Sequence, residues 1–479
     1  MNQLQLFLPC AAGVEDYLQP EVQRITGLPD SSVQKRRGGV EVIGSWRDAM
    51  LLNLHSRLAQ RVLVQLSYTE YRNEQDLYRA ASEVAWEIWF TPRQTIKVEV
   101  TAQHSPLTSL NFAGLKIKDA VCDRFRAKAH GVRPDVNTQW PDIRIYAHLT
   151  TDALSLYIDT SGEPLFKRGW REDKGEAPLK ETLAAAMIAA SGWADPLARG
   201  EPLLPLYDPC CGSGTIAIEA AQIACKIPPG LLRQFAFEKM LPFQDHVWSA
   251  IKNEADHACQ AGIAALKGTK LIFGSDVAHR MVDFAQRNAD RAGVADVIEF
   301  RGGDALQRLP PSDVPGVMLL NPPYGERIAV AGVAAPGRGQ RDARGNMADQ
   351  GNPYEQAEQG EQREGADRRG LPEGRFGARE VAHTEDGGEF FSQLASHWKK
   401  NYSGWTAWVL TPDLKLPGKM RLKESRKVPM WNGPIECRMF RFEMVAGKMG
   451  SDRDYRSAAT PVAGSVDRAL TPILRRRTK

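Results

Sequence analysis

The sequence predicts an α/β protein whose larger part is a doubly wound, mostly parallel sheet finished by a C-terminal antiparallel hairpin, with a smaller α/β portion before it. Three observations carry this. From about residue 178 the chain runs through strand–loop–helix units whose strands are continuous apolar runs rather than alternating ones, the mark of a parallel sheet buried on both faces. Near the end, Asn432-Gly433 separates two strand-like runs in "VPMWNGPIECRMFRFEM", a strong hairpin signal. Over roughly the first 160 residues, strands pair with helices as in one or two compact recognition units.

In chain order, "LQLFLP" reads as a strand, and Val14, Leu18, Val22 and Ile25 give "GVEDYLQPEVQRI" helical spacing. "GGVEVIG" (38–44) is a second strand, and Ser45 is the N-cap of a helix expected to run through "SWRDAMLLNLHSRLAQ" into strand-like "RVLVQL". "TIKVEVTA" (95–102) is a strand, followed by a helix over 112–129 whose apolar stripe is Leu115, Ile117, Val121 and Phe125. "DIRIYAHLT" and "ALSLYIDT" form a hairpin across a Thr-Asp junction. "PLKETLAAAMIAASGW" is a strongly apolar helix. The parallel units are "LLPLYDPCCGSGTIAIEAAQIA", "KLIFGSDVAHRMVDFAQRNADRAG", "VIEFRGGDA" and "GVMLLNPPYG", with a mostly helical stretch at 226–268 between the first two. "FFSQLASHWKKNYSGWTAWVLTPD" adds one more helix and strand. Residues 331–388 and the tail 448–479, which ends "LRRRTK", are poor in aliphatic side chains. They cannot offset the entropy of ordering, so a low-complexity insertion and a basic disordered tail are expected there.

At 479 residues the chain is too long for one ordinary core. Its apolar (42%) and charged (25%) fractions are those of a globular protein, and its net charge of +4 is only a weak hint of an anionic partner. Seven cysteines without a CxxC pair argue against a disulfide framework and a metal site. The N-terminus has no basic flank or apolar run of signal-peptide length, and no segment approaches the roughly 20 apolar residues of a membrane span. The default location is a reducing cytoplasm.

"LYDPCCGSGTIAIEAA" puts Asp208 at the end of a buried strand, then a turn through Pro209, Cys211, Gly212, Ser213 and Gly214, then a helix from Thr215. Gly212 and Gly214 let the backbone turn tightly and a ligand approach closely. A dinucleotide fold would carry a third glycine and an acid about 20 residues on. Here Ala217 and Pro228 stand at those places. The acids fall instead at the next strand ends: Asp276 in "GSD", a candidate for a ribose diol, and Asp304 in "RGGDA", a candidate for an adenine amino group. Each alone reads as a helix cap or turn former; together with the Gly turn they fit an adenosyl ligand without a pyrophosphate. "NPPY" ends the fourth strand on the same edge. Pro322 and Pro323 present carbonyls and no N–H, and the Asn321 amide adds an acceptor, so the turn can hold an exocyclic amino group. Tyr324 can stack on a flat base, worth about 1–3 kcal/mol. The bland alternative is a rigid turn ending a strand.

"DPCCGSGT", "GSD" and "NPPY" resemble the motifs of class I S-adenosylmethionine-dependent N-methyltransferases. Together with "KIKDAVCDRFR", "NTQWPDIRIYAHL", "KETLAAAMIAASGW" and "LNPPYGER", the chain resembles the THUMP-containing RNA methyltransferases over roughly 3–330 and 388–446, most of all the guanine-N2 half of the bifunctional bacterial 23S rRNA enzymes. The resemblance implies a ferredoxin-like domain over 1–65, a THUMP RNA-binding domain over 66–165 and a Rossmann-like methyltransferase domain over 166–447, interrupted by the 331–388 insertion. It implies S-adenosylmethionine as cofactor and methylation of a guanine N2 in 23S rRNA, with the base flipped into the NPPY pocket. The bifunctional relatives continue into a second methyltransferase domain, so that second activity is expected to be absent here. A guanine in tRNA is the nearest alternative substrate, and a noncatalytic RNA-binding assembly factor is the alternative of another class. Candidate RNA contacts are Lys116, Lys118, Arg124, Arg126 and Lys128 on the 112–129 helix, Arg133 beside it, and Lys167 and Arg168 in "FKRGWRED". Glu181 and Thr182 in "PLKETLAAAM" are weak candidates for the cofactor rim.

Overall fold

Ser45 starts its helix as the sequence predicts: its hydroxyl accepts from the Asp48 N–H while Asp48 accepts from the Ser45 N–H, a reciprocal cap. The helix stops at His55 instead of running on towards the strand. Buried Glu21 is the cause, because it accepts from the Ser56 hydroxyl at 2.7 Å and the Arg57 N–H at 3.0 Å. Those bonds hold residues 56–58 out of helical conformation.

The computed structural model describes residues 3–175, 178–322 and 387–445. The first portion comprises β1 (Leu4–Pro9), α1 (Glu15–Thr26), β2 (Val33–Arg36), β3 (Gly39–Gly44), α2 (Trp46–His55), β4 (Leu63–Glu70), α3 (Glu74–Glu83), β5 (Ile96–Ala102), α4 (Leu110–Lys128), β6 (Ile143–Leu149) and β7 (Ala153–Asp159). Its strands make one seven-stranded sheet in the order β2-β3-β1-β4-β7-β6-β5. Strand β4 joins the two expected units, pairing with β1 on one side and β7 on the other. The expected boundary at 65/66 falls inside it. In α4, Ile117, Val121 and Phe125 are buried, but Leu115 points outward at 53% exposure and Ala113 and Ala120 complete the stripe.

The second portion contains α5 (Glu181–Ser191), α6 (Asp195–Ala198), β8 (Leu206–Asp208), α7 (Thr215–Ala224), α8 (Asp245–Ala265), β9 (Ile272–Asp276), α9 (His279–Arg291), β10 (Ile298–Gly302), β11 (Val317–Leu320), α10 (Gly387–Asn401), β12 (Thr406–Thr411), α11 (Leu416–Met420), β13 (Arg426–Asn432) and β14 (Ile435–Glu443). The order β10-β9-β8-β11-β12-β14-β13, parallel through β12 and antiparallel at β14 and β13, is the doubly wound sheet with its hairpin. Asn432 closes β13 opposite Ile435, so Gly433-Pro434 forms the turn, with Gly433 at φ +61°. Of 226–268 only the second half is a long helix; the first half is loop with one short turn of helix at Ala236–Lys239. One core runs from the first sheet through α5 and α7, and another packs Leu394, Trp398 and Tyr402 on the opposite face of β11 and β12. Among the described residues no helix is long and apolar enough to cross a membrane. The 448–479 tail and all but the last two residues of the 331–388 insertion lie outside the described residues.

Candidate active site

Parallel pairing of β10, β9, β8 and β11 brings Asp304, Asp276, Asp208 and Asn321 to one carboxyl edge. Between Asp208 and α7 the Gly-rich loop is stitched to the end of β9. Cys211 N–H donates to the Ser275 carbonyl and Gly212 N–H to Asp276 Oδ2, both at 2.9 Å. Gly212 (φ +51°) and Gly214 (φ +87°) both need the left-handed region, for different reasons. A Cβ at Gly214 would lie 3.0 Å from Ala285 Cβ and 3.1 Å from Phe300 Cζ, so this glycine lets the loop sit against α9 and β10. A Cβ at Gly212 would meet nothing within 4 Å, so this backbone faces open space. Pro209, Cys211 and Ser213 are buried beneath it. Thr215 opens α7 behind Gly214, which supplies no side-chain cap, and leaves first-turn N–H groups for a ligand.

The three aspartates each make a turn bond and keep more to offer. Oδ1 of Asp208 accepts from Cys210 N–H, that of Asp276 from Ala278 N–H and that of Asp304 from Leu306 N–H. Burial raises the Asp208 carboxyl to about 8, and neighbouring Asp276 adds to the effect. Burial also raises Asp276. An edge lined by buried Asp208 and the half-buried Asp276 and Asp304 suits a ligand that offers hydroxyl and amino groups. Across the edge, Asn321 Oδ1 is shielded from solvent and has no hydrogen-bond partner among the described residues, an unusual state for a buried carbonyl. Pro322 is buried beside it. Pro323 and Tyr324 lie outside the described residues.

Glu181 and Thr182 start α5 and are buried at the back of the loop. Glu181 is tied up by Arg171, whose Nε donates to it at 2.7 Å. The same guanidinium donates to the Ser213 hydroxyl at 3.1 Å, the Thr215 hydroxyl at 2.7 Å and the Leu179 carbonyl at 3.1 Å. Two residues on, Asp173 pairs with Arg287 at 2.8 Å and with Arg291, and these charged partners hold its carboxyl well below the usual range. Asn288, fully buried on α9, donates to the Ser213 and Asp173 carbonyls. The segment 168–173 is thus wired into the Gly-rich loop and both helices around it. Sequence reasoning missed Arg171, Asp173 and Asn288. The available signal was an asparagine three residues after Ala285 on the buried stripe of α9, where a polar group requires partners.

The RNA candidates fare unevenly. Arg168 is corrected: it is buried, its Nε donates to Glu219 Oε1 at 3.0 Å, and it cannot reach a phosphate. Arg57 reaches the same buried carboxylate at 3.1 Å, so two arginines outside the second sheet meet one acid on α7. Lys167 is exposed and pairs with Glu163. On α4, Arg124 is clamped by Glu87, Arg126 by Asp123 and Lys118 by Asp119, and Lys116 lies over the Phe112 ring. Lys128 and Arg133 are exposed. Much of the expected basic face is therefore neutralised within the helix and its neighbours.

Comparison with known proteins agrees with this architecture. Residues 5–63 match the RlmL ferredoxin-like domain, 71–159 the THUMP domain and 168–334 the RMKL-like methyltransferase domain. The chain is 34% identical to ribosomal RNA large subunit methyltransferase K/L of Psychromonas ingrahamii, over 91% of its own length and 49% of the relative's. It is 31% identical to the protein of that name from Aeromonas hydrophila, over 94% and 56%. The chain thus spans about half the length of the curated relatives it matches. The crystal structure of SMU.472 complexed with SAH superposes with a TM-score of 0.70 at 25% identity, over 92% of this chain and 98% of that one. With its ferredoxin-like sheet, THUMP region and doubly wound carboxyl-edge site, this chain combines in order a ferredoxin-like domain, a THUMP domain and an RMKL-like methyltransferase domain.

Proposed function

We propose that this protein transfers a methyl group from S-adenosylmethionine to the exocyclic N2 amino group of a guanine in 23S rRNA. The observation that carries the reading is the shielded Oδ1 of Asn321, without a hydrogen-bond partner among the described residues, on the same edge as the Gly-rich loop. It is an acceptor in need of an N–H, where a flipped base would arrive. The relatives named as large subunit ribosomal RNA methyltransferases, and the SAH held by SMU.472, support the cofactor and the class of RNA.

In this reading Gly212, Ser213 and Gly214 cradle the cofactor from one side, Asp276 accepts from its ribose hydroxyls and Asp304 from its adenine amino group. Asp208, with one oxygen held by Cys210 N–H, anchors the turn. The cofactor, when bound, supplies an electrophilic methyl on a sulfonium. Asn321 Oδ1 and the Pro322 carbonyl accept the two N–H bonds of the guanine amino group. That fixes the amino group and aims its lone pair, otherwise delocalised into the ring, at the methyl carbon. Alignment is the main contribution to rate. As the new C–N bond forms, the sulfonium–methyl bond breaks to leave a neutral thioether, and the amino group then loses one proton to solvent or a nearby acceptor. Tyr324, outside the described residues, is the candidate to stack on the base.

The test is to incubate the protein with labelled cofactor and separated rRNA and tRNA from a strain lacking its gene, then to digest and identify the modified nucleoside. Label in N2-methylguanosine of 23S rRNA is the expected outcome. Label in N6-methyladenosine, or in tRNA alone, overturns the assignment.

A further inference from the structure

A second, denser run of exposed cations lies not on α4 but in the segment after β12. Between Thr411 and Val428 stand six basic residues, Lys415, Lys419, Arg421, Lys423, Arg426 and Lys427, against two acidic ones, Asp413 and Glu424. All six basic side chains are exposed. Lys419 is paired with Asp413 at 2.8 Å, and Arg426 lies over the Trp408 ring. Arg421, Lys423 and Lys427 form no salt bridge among the described residues, and Lys415 forms none either, though its charge helps hold the Asp413 carboxyl below its usual range. This is the reverse of α4, where three of the predicted cations are already neutralised by neighbouring acids.

Two further observations give the segment a direction. Strands β11 and β12 are adjacent and parallel, with Leu320 opposite Val409, so the chain leaves β12 on the same edge as Asn321, one strand away. It then folds back along α10, where Lys399 Nζ, in the last turn of that helix, donates to the Arg421 carbonyl at 2.9 Å. The cations thus run from Lys415 near the carboxyl edge back towards the end of α10 that leads into β12, and the chain returns as β13. Arg421 itself caps α11 at φ +49°. That left-handed position favours glycine, and a long cationic side chain there costs on the order of 1 kcal/mol in backbone preference. The cost is tolerated without a salt bridge from the guanidinium to any acid among the described residues.

We infer that the β12–β13 segment is a phosphate-gripping surface of the catalytic domain, which holds RNA backbone leading away from the base presented to Asn321. The occupant is RNA because unpaired cations match a polyanion, and the inference rests on the reading of the protein as an RNA methyltransferase. Each phosphate contact releases counterions and steepens the salt dependence of binding.

The experiment uses the full chain, in vitro transcribed 23S rRNA and S-adenosylmethionine. The quadruple variant Lys415→Gln/Arg421→Gln/Lys423→Gln/Lys427→Gln is expected to lower the slope of log K against log salt by about 3, and to weaken RNA binding ~10- to 100-fold near 0.1 M salt. Its cofactor Kd should stay unchanged. The single variant Arg421→Gly separates binding from folding: its Tm should hold or rise, because glycine prefers that backbone, while the KM for RNA rises at least about threefold. A quadruple variant with the wild-type salt slope overturns the surface. So does an Arg421→Gly variant that loses Tm and keeps its KM. A wild-type protein that neither binds nor methylates the transcript sinks instead the functional reading on which the surface rests.

Discussion

Arg171 offers the sharpest test of how the cofactor loop is held. Its side chain is 11% exposed and that of Glu181 5%, so their ion pair is nearly dry. Arg171→Ala strips Glu181 of its guanidinium, and breaking a buried pair from one side costs about 3–5 kcal/mol. It also removes donors from the Ser213 and Thr215 hydroxyls, which flank Gly214 in the loop. Hydrogen bonds from a charged donor are worth about 1.5–3 kcal/mol each. If losing their ordering effect costs cofactor binding only one such bond, affinity falls ~10- to 100-fold. The two effects separate in Arg171→Gln/Glu181→Gln, which leaves no unpaired charge. We expect that double variant to recover most of the lost Tm in thermal unfolding, while calorimetric titration with S-adenosylmethionine still shows the weakened Kd. A double variant with wild-type affinity would refute the reasoning, since Arg171 would then serve only to neutralise Glu181.

Asn321→Ala should lower transfer by about 100-fold or more, as loss of a preorganised polar group at the reacting centre does, and leave cofactor Kd within about twofold; an active variant removes Asn321 from the mechanism. Asp208, raised to about 8 by burial, binds a proton in the folded protein that the unfolded chain releases above its ordinary carboxyl range. Its contribution to stability is therefore present at low pH and lost as pH rises towards 8, at up to about 1.4 kcal/mol per unit. Tm measured from pH 5 to 9 should fall less steeply in Asp208→Asn than in wild type, and identical slopes would contradict the assignment. Gly214→Ala, which meets Ala285 and Phe300 at about 3 Å, should cost about 2–3 kcal/mol. Gly212→Ala, into open space, should cost about 1 kcal/mol and act mainly on cofactor affinity; equal stability losses in the two would refute the distinction.

What the sequence made legible follows from which interactions are local. The doubly wound sheet was readable because β8, β9 and β11 are apolar runs that only a sheet covered on both faces can bury. The cap at Ser45 and the turn after Asn432 are encoded within a few residues. The end of α2 was not, because it is set by Glu21, more than 30 positions away. Arg168 failed for the same reason. In sequence it is one cation in a basic, aromatic link, and only the fold brings Glu219 to it. The charge counted along α4 left out its own Asp119 and Asp123, and Glu87, which only the fold sets beside Arg124. The segment after β12 was passed over, though its basic residues had no comparable set of acids nearby.

The three strand-end aspartates show why weighing a turn former against a ligand residue was the wrong choice to pose. Each makes the short-range bond of a turn former, from Oδ1 to the N–H two residues on. That bond fixes the carboxylate plane and so aims the second oxygen. At Asp276 the second oxygen already accepts from Gly212 N–H, so the acid that is to face a ribose also sets the loop that is to face the rest of the cofactor. A carboxylate oxygen has lone pairs for two donors, so ligand hydroxyls can share it without displacing the loop. At Asp208 and Asp304 only one oxygen is engaged by the turn. The cost of burying these acids, visible in the raised carboxyls of Asp208 and Asp276, falls when a ligand donates hydrogen bonds to them. Turn geometry and ligand affinity are therefore coupled: replacing Asp276 with alanine should loosen the Gly-rich loop even before any cofactor arrives, whereas asparagine, which keeps an acceptor in place, should preserve the loop and lose mainly the charge-assisted part of ligand binding.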